Sequence, residues 1–132
     1  MKRHLALTLC LIFLSSAALS AQEKQDARTP AVAVIKDGMQ YVDIQVSPRA
    51  YATIIVQKGI PVRFNLKAKA SSLNGCNSAI QIPAFGVTKR LVAGDNIVQF
   101  TPKTVGKIPY ACWMNMITDT IVVVDDLTTL KK

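Results

Sequence analysis

Apolar and polar positions alternate in short runs along most of the chain. Val42, Ile44 and Val46 alternate with Tyr41, Asp43 and Gln45, which predicts a strand with one buried and one wet face. Val62, Phe64 and Leu66 alternate with Arg63, Asn65 and Lys67 in the same way. Residues 53–56 form a short, largely β-branched run closed by Lys58 and Gly59, and residues 78–82, 96–101, 107–112 and 118–124 predict four further strands. Turn formers separate them: Ser47-Pro48-Arg49, Pro83 to Gly86, Gly94-Asp95-Asn96, and Pro102 to Gly106. The stretch 68–77 is small and polar and holds Asn74 and Gly75, so it predicts a loop with a tight turn. After residue 21 no segment sustains a 3.6-residue period with caps. Seven or so short strands between turn signals predict an all-β sandwich or barrel, mainly antiparallel.

The two ends depart from this pattern. Lys2 and Arg3 precede a nearly unbroken apolar run from Leu5 to Leu14, followed by small neutral residues to Ala21. That order predicts a signal peptide over residues 1–21, with cleavage after Ser20 or Ala21. The run is shorter than the roughly 20 residues of a membrane-spanning helix, so no stable span is expected after cleavage. Residues 22–38 read as a flexible leader, 39–126 as one domain, and 127–132 as a tail. The expected address is the periplasm or another extracytoplasmic space.

Removing residues 1–21 changes the chemistry. Cys10 and His4 leave with them, so two of the three cysteines remain and no histidine does. Lys2 and Arg3 are lost from 16 basic residues while all 8 acidic ones stay, so the formal charge falls from +8 to +6. The bases are scattered, and an exported chain does not meet nucleic acid. Solubility, or attraction to an anionic surface or acidic partner, accounts for the balance.

Soft sulfur is the remaining signal. Cys112, Met114 and Met116 fall on a brief turn between two predicted strands, and Cys76 sits at a loop-to-strand junction upstream. In the strand 108–112, Ile108, Tyr110 and Cys112 share one face. The first two are large and mostly apolar, so Cys112 emerges at the end of the core. Pro109 cannot donate a ladder hydrogen bond, which predicts an edge or a bulge there. Thiolate and thioether donors favour Cu(I), with Ag(I) as a chemical relative, over Mg, Ca or Mn. A zinc site calls for four Cys, His or carboxylate ligands, and no CxxC or HxxxH occurs. A blue-copper site needs two imidazoles, which the chain without its first 21 residues cannot supply.

At these positions the sequence resembles the bacterial cupredoxin-like domains found alone or fused to heavy-metal and iron transport proteins. The resemblance rests on Gly75-Cys76, Ile80-x-Ile82-Pro83, Gly94-Asp95-Asn96, Phe100-Thr101-Pro102, Gly106, Tyr110-x-Cys112-x-Met114-x-Met116 and Thr120-Ile121-Val122-Val123. It covers roughly residues 40–125. It implies a cupredoxin-like Greek-key β-sandwich of about seven to eight strands with a copper-type site at one end. By position it implies Cys76 as the upstream ligand, Cys112 as the thiolate and Met116 as the later methionine, with Met114 beside them. Glycine often stands in that family where this chain has Trp113, Asn115 and Asp119. Asn and Asp tolerate positive φ better than most residues and Trp does not, so the loop is altered around Trp113. A Trp beside a bound cation can offer its ring face, a contact of roughly 0.5–2 kcal/mol.

Other readings stand beside the metal. Two cysteines in an exported sandwich most often form a disulfide, which here would contribute roughly 2–4 kcal/mol. Sulfurs close enough to share a metal can also oxidise without it. Methionine often fills gaps in cores; Met39 reads as a core residue at a strand start, and Asp119 as a turn residue. The expectation is an exported protein that binds Cu(I) through Cys76, Cys112 and one or both of Met114 and Met116. Its use would be copper handling, delivery or detoxification in the envelope, with a metal transporter or acceptor as partner. No catalytic constellation is visible. The competing expectations are a disulfide-stapled interaction module and an electron-transfer protein that recruits a ligand from a partner.

Overall fold

An alternating strand must bury one face, and here the strands pair so that their apolar faces oppose one another. The computed structural model describes residues 29–130. Its strands are β1 Ala31–Val32, β2 Val34–Lys36, β3 Met39–Gln45, β4 Ile54–Gln57, β5 Val62–Ala68, β6 Ala79–Ile82, β7 Val87–Arg90, β8 Gly94–Phe100, β9 Gly106–Cys112 and β10 Thr118–Val124. One sheet has the order β1-β4-β10-β9-β6-β7 and the other β2-β3-β5-β8. Val42, Ile44, Phe64, Leu66 and Val98 from the second sheet meet Ile54, Val56, Ile80, Ile82, Tyr110, Ile121 and Val123 from the first, all buried. The expected all-β sandwich is therefore present, with ten strands among the described residues rather than seven or eight.

The additional strands are short or exposed. β1 and β2 lie within residues 22–38, the stretch expected to be a flexible leader. They have two and three residues, too few to display an alternation. The chain passes from one sheet to the other at buried Ala33 between them. β7 is an edge strand with three exposed residues in succession, so it carries no apolar period. Pro83–Phe85 forms a 3-10 turn that leads into it, and Gly86 ends that turn at φ 63°. Beyond β10 the expected tail starts with a 3-10 turn, Leu127–Leu130, whose Leu127 is buried. The signal-peptide stretch 1–21 lies outside the described residues. No helix among the described residues is long and apolar enough to cross a membrane.

Most pairs are antiparallel, as expected, but β1/β4, β4/β10 and β3/β5 are parallel. The cause is the alternation of sheets. β4 lies in the opposite sheet from β3 and β5, so the chain reverses twice before β5 settles beside β3. Pro109 is not on an edge strand, because β9 lies between β10 and β6. β6 pairs with β9 only at Ala111 and Cys112, however. At the level of Pro109 the flank toward β6 needs no donor, which is how the sheet admits a proline there.

Buried polar groups lock the frame. Gln40, fully buried, donates from Nε2 to the carbonyls of Gln57 (2.7 Å) and Ile60 (2.8 Å), and its Oε1 accepts the Gln57 N–H. Tyr110 stacks on Tyr51, meets Phe64 edge-on, and donates its hydroxyl to the Ala52 carbonyl at 2.5 Å. Burial raises both tyrosines well above the ordinary phenol range. Gln40→Ala leaves backbone groups of Gln57 and Ile60 without partners and is expected to cost about 2–3 kcal/mol. Gln99→Ala, on the wet face of β8, should change stability by less than about 0.5 kcal/mol. Urea denaturation of the two variants checks this; a Gln40→Ala loss no larger than that of Gln99→Ala contradicts it.

Candidate metal centre

Two segments meet at one end of the sandwich. The first follows β5: a 3-10 turn at Ala70–Ser72, then a loop that enters β6. Asparagine side chains shape this loop, because they mimic backbone turns. Asn74 Oδ1 accepts the N–H groups of Cys76 (2.9 Å) and Asn77 (3.1 Å), while Asn77 Oδ1 accepts the Asn74 N–H (2.8 Å). Asn77 is itself fully buried and donates to the Ser72 carbonyl at 2.8 Å. The loop thus has an internal brace, and Cys76 lies within it.

The second segment is the end of β9 and the turn to β10. Cys112 points inward with Tyr110, in register with Ile80 of β6, and is fully buried. Its N–H donates to the Ile117 carbonyl and its carbonyl accepts the Asn115 N–H, both at 2.9 Å. Asn115 takes the positive φ, 57°, that the sequence suggested it would tolerate; Trp113 and Asp119 do not. Gln81 Nε2 holds the Asn115 side chain at 2.9 Å. Asp119 is not a turn residue: it lies in β10 opposite Tyr110 and accepts the Thr53 hydroxyl at 2.6 Å.

The sulfurs of Cys76 and Cys112 are 3.8 Å apart, and both cysteines are free. A disulfide requires about 2.05 Å. Sulfurs at 3.8 Å are spanned at an S–metal–S angle of roughly 110° by an ion with bonds of zinc-thiolate length, about 2.3 Å. The two thiols differ. Burial pushes the Cys112 thiol up, but backbone N–H groups of Ile117, Met116 and Met114, and then the Cys76 thiol, outweigh this and bring it below its ordinary value. The Ile117 N–H lies 3.4 Å from the Cys112 sulfur. Cys76 moves the other way, raised by desolvation, by its hydrogen bond to Cys112 and by the charge there. Cys112 is therefore the one of the pair that gives up its proton first.

Met114 and Met116 lie on the same turn, 47% and 73% exposed. Exposure excludes gap-filling in the core as their role and leaves both thioethers accessible. The structure thus brings Cys76 and Cys112 together and sets the two methionines on the rim. Among the described residues no three His, Cys, Asp or Glu side chains converge. The supporting amides Asn74, Asn77, Gln81 and Asn115 were not singled out as functional from sequence. The Asn-x-x-Asn bracket around Gly75-Cys76 is the feature that would have found two of them.

No protein-family model matches the chain, and no curated protein matches it by sequence. Solved structures do match. One is the NMR structure of a copper binding protein in the apo form, 29% identical with a TM-score of 0.62, covering 73% of this chain and 98% of that one. Another is the metal binding domain of the Cu(I)-exporting P-type ATPase CopA of Streptococcus pneumoniae D39 with Cu(I), 24% identical with a TM-score of 0.63, covering 73% and 96%. A third belongs to the mixed disulfide intermediate between a thioredoxin-like protein and subunit II of cytochrome c oxidase, 14% identical with a TM-score of 0.54, covering 73% and 90%. The fold is a cupredoxin-like β-sandwich.

Exposure makes the two thiols separable by chemistry. Iodoacetamide applied to the folded, reduced protein is expected to modify Cys76 alone, and both cysteines once urea is added. Peptide mapping by mass spectrometry reads the positions. Equal modification of Cys112 in the folded protein would show that its sulfur is not enclosed.

Proposed function

We propose that the chain is an exported carrier that binds one Cu(I) ion between Cys76 and Cys112, helped by the thioether of Met114, Met116 or both. The observation that carries this reading is the pair of reduced thiols 3.8 Å apart, beside two exposed thioethers on the same turn. Thiolate and thioether together suit a soft monovalent ion, Cu(I) or its relative Ag(I), and suit hard divalent ions poorly. The likeness to a copper binding protein at 29% identity supports the same chemistry.

The residues divide the work. Cys112, already biased to the thiolate by the turn amides, offers the first strong donor. Capture by the second sulfur expels the Cys76 proton to solvent, so binding tightens as pH rises and weakens as it falls. The thioethers are neutral, accessible and weakly held, which suits ligands that exchange when the ion passes to an acceptor. The leader-like residues 1–21 support an address in the envelope, periplasmic in a bacterium with two membranes, where the ion would pass to a metal transporter or other acceptor. This is a carrier's chemistry, with the ion as cargo, and no catalytic step is assigned to it.

Native mass spectrometry of the reduced protein, kept anaerobic with one equivalent of Cu(I), tests the reading. One retained copper is expected, absent from Cys76→Ser and from Cys112→Ser, and held less tightly by Met116→Leu. No retained copper, together with a two-hydrogen mass deficit in air-purified protein, would make the cysteines a structural bridge instead.

A further inference from the structure

The strand ladder that joins the two segments of the centre stops short of Cys76. β6 and β9 pair at Gln81 with Ala111 and at Ile80 with Cys112, and one more hydrogen bond, from the Trp113 N–H to the Ala79 carbonyl at 3.0 Å, extends that contact. Residues 73–78 lie beyond it. Their asparagine brace ties them inward, to Ser72 and to the Ser47 carbonyl, not to the turn that carries Cys112. Among the described residues one hydrogen bond, besides the contact between the thiols, joins residues 73–78 to residues 112–117. It runs from Trp113 Nε1 to the carbonyl of Gly75, at 2.7 Å.

That bond has a singular position. Its acceptor is the residue immediately before Cys76, and its donor is the residue immediately after Cys112. Asn74 and Gly75 are exposed, whereas Leu73 and Cys76 pack against the core and Asn77 is buried, so the Gly75 carbonyl lies at the least-packed point of the loop. Trp113 is half exposed, so its ring also packs, but its indole nitrogen is a donor and nothing else. No phenyl ring can replace that bond.

We propose that Trp113 is the positioning residue of this centre: a latch whose indole N–H, bonded to the Gly75 carbonyl, holds Cys76 within bridging distance of Cys112. The latch raises the effective concentration of one sulfur near the other. Its consequence for copper rests on the Cu(I) reading above; its consequence for the thiols does not. With the bond gone the loop opens more often, and any reaction needing both sulfurs weakens by the same factor. A net hydrogen bond of ordinary strength sets that factor at roughly three- to ten-fold.

Two equilibria read the latch in Trp113→Phe, which keeps an aromatic ring and loses the donor. The first is thiol–disulfide exchange with glutathione. One protein thiolate attacks glutathione disulfide and expels a glutathione thiolate; the second attacks the mixed disulfide and expels the other. The two protein protons end on the two glutathione thiols, so protein is oxidised and glutathione reduced. The second is competition for Cu(I) against a chromophoric chelator. Both constants are expected to fall three- to ten-fold in the variant. Leu127→Ala, buried at the opposite end of the sandwich, controls for stability and should leave both constants in place. A fall in the thiol constant in a protein that does not bind Cu(I) would keep the latch and remove the copper reading. An unchanged thiol constant would overturn the latch, whether or not copper affinity moved. An equal fall in Leu127→Ala would overturn it too, since general loosening would then explain the effect.

Discussion

The centre depends on where β9 runs out of partners. Up to Cys112 the strand is held by β10 along its length and by β6 at its last two residues, and this pairing fixes the sulfur at the end of the core. One residue further the ladder ends, and the amides of the turn are no longer committed to strand hydrogen bonds. The Ile117 N–H turns toward the Cys112 sulfur at 3.4 Å, and the backbone N–H groups of Met116 and Met114 add to the lowering of its thiol. A thiolate buried without such donors would be strongly disfavoured. The same change of direction that closes the hairpin therefore supplies the charge stabilisation that the sulfur needs.

The turn shows a period of its own. Trp113, Asn115 and Ile117 are each tied down: the first to Ala79 and Gly75, the second to Gln81 and Cys112, the third to Cys112 and by burial. Met114 and Met116 fall between them and are exposed. Alternate residues thus anchor the backbone and alternate residues present thioethers to solvent. A turn with this division keeps its amides aimed at Cys112 while its methionines sample rotamers, and methionine has three rotatable bonds to do so. Rigidity and access are assigned to different residues and need not compete.

Much of this was legible in the sequence, for physical reasons that also explain what was not. β3 and β5 bury one face each over seven residues, so their alternation is long enough to read, and β10 is legible as a β-branched apolar run. β1, β2 and β7 are too short or too exposed to carry a period, and they exist because neighbouring strands offer them an edge. Pro109 pointed to an edge because sequence shows a missing donor but not how far the neighbouring strand extends. In the centre, Cys76, Cys112, Met114 and Met116 were legible because sulfur is scarce and its chemistry distinctive. The bracing amides were not, since asparagine and glutamine serve as turn and surface residues everywhere, and only the fold reveals which are buried or reciprocal.

The opposed shifts of the two thiols give the pair its character. Two adjacent thiolates would repel, and their separation leaves little room for water to screen them. One proton between the sulfurs removes that repulsion, and the turn amides direct the first charge to Cys112, not Cys76. A soft cation bridging the same gap removes the repulsion as well and makes stronger bonds to sulfur. The proton and the cation are thus alternative occupants of one electrostatic need. The same amides make Cys112 the sulfur that attacks first in disulfide exchange, because the thiolate is the nucleophile. The turn therefore directs either fate of the pair, bridging an ion or bonding to each other, through one residue.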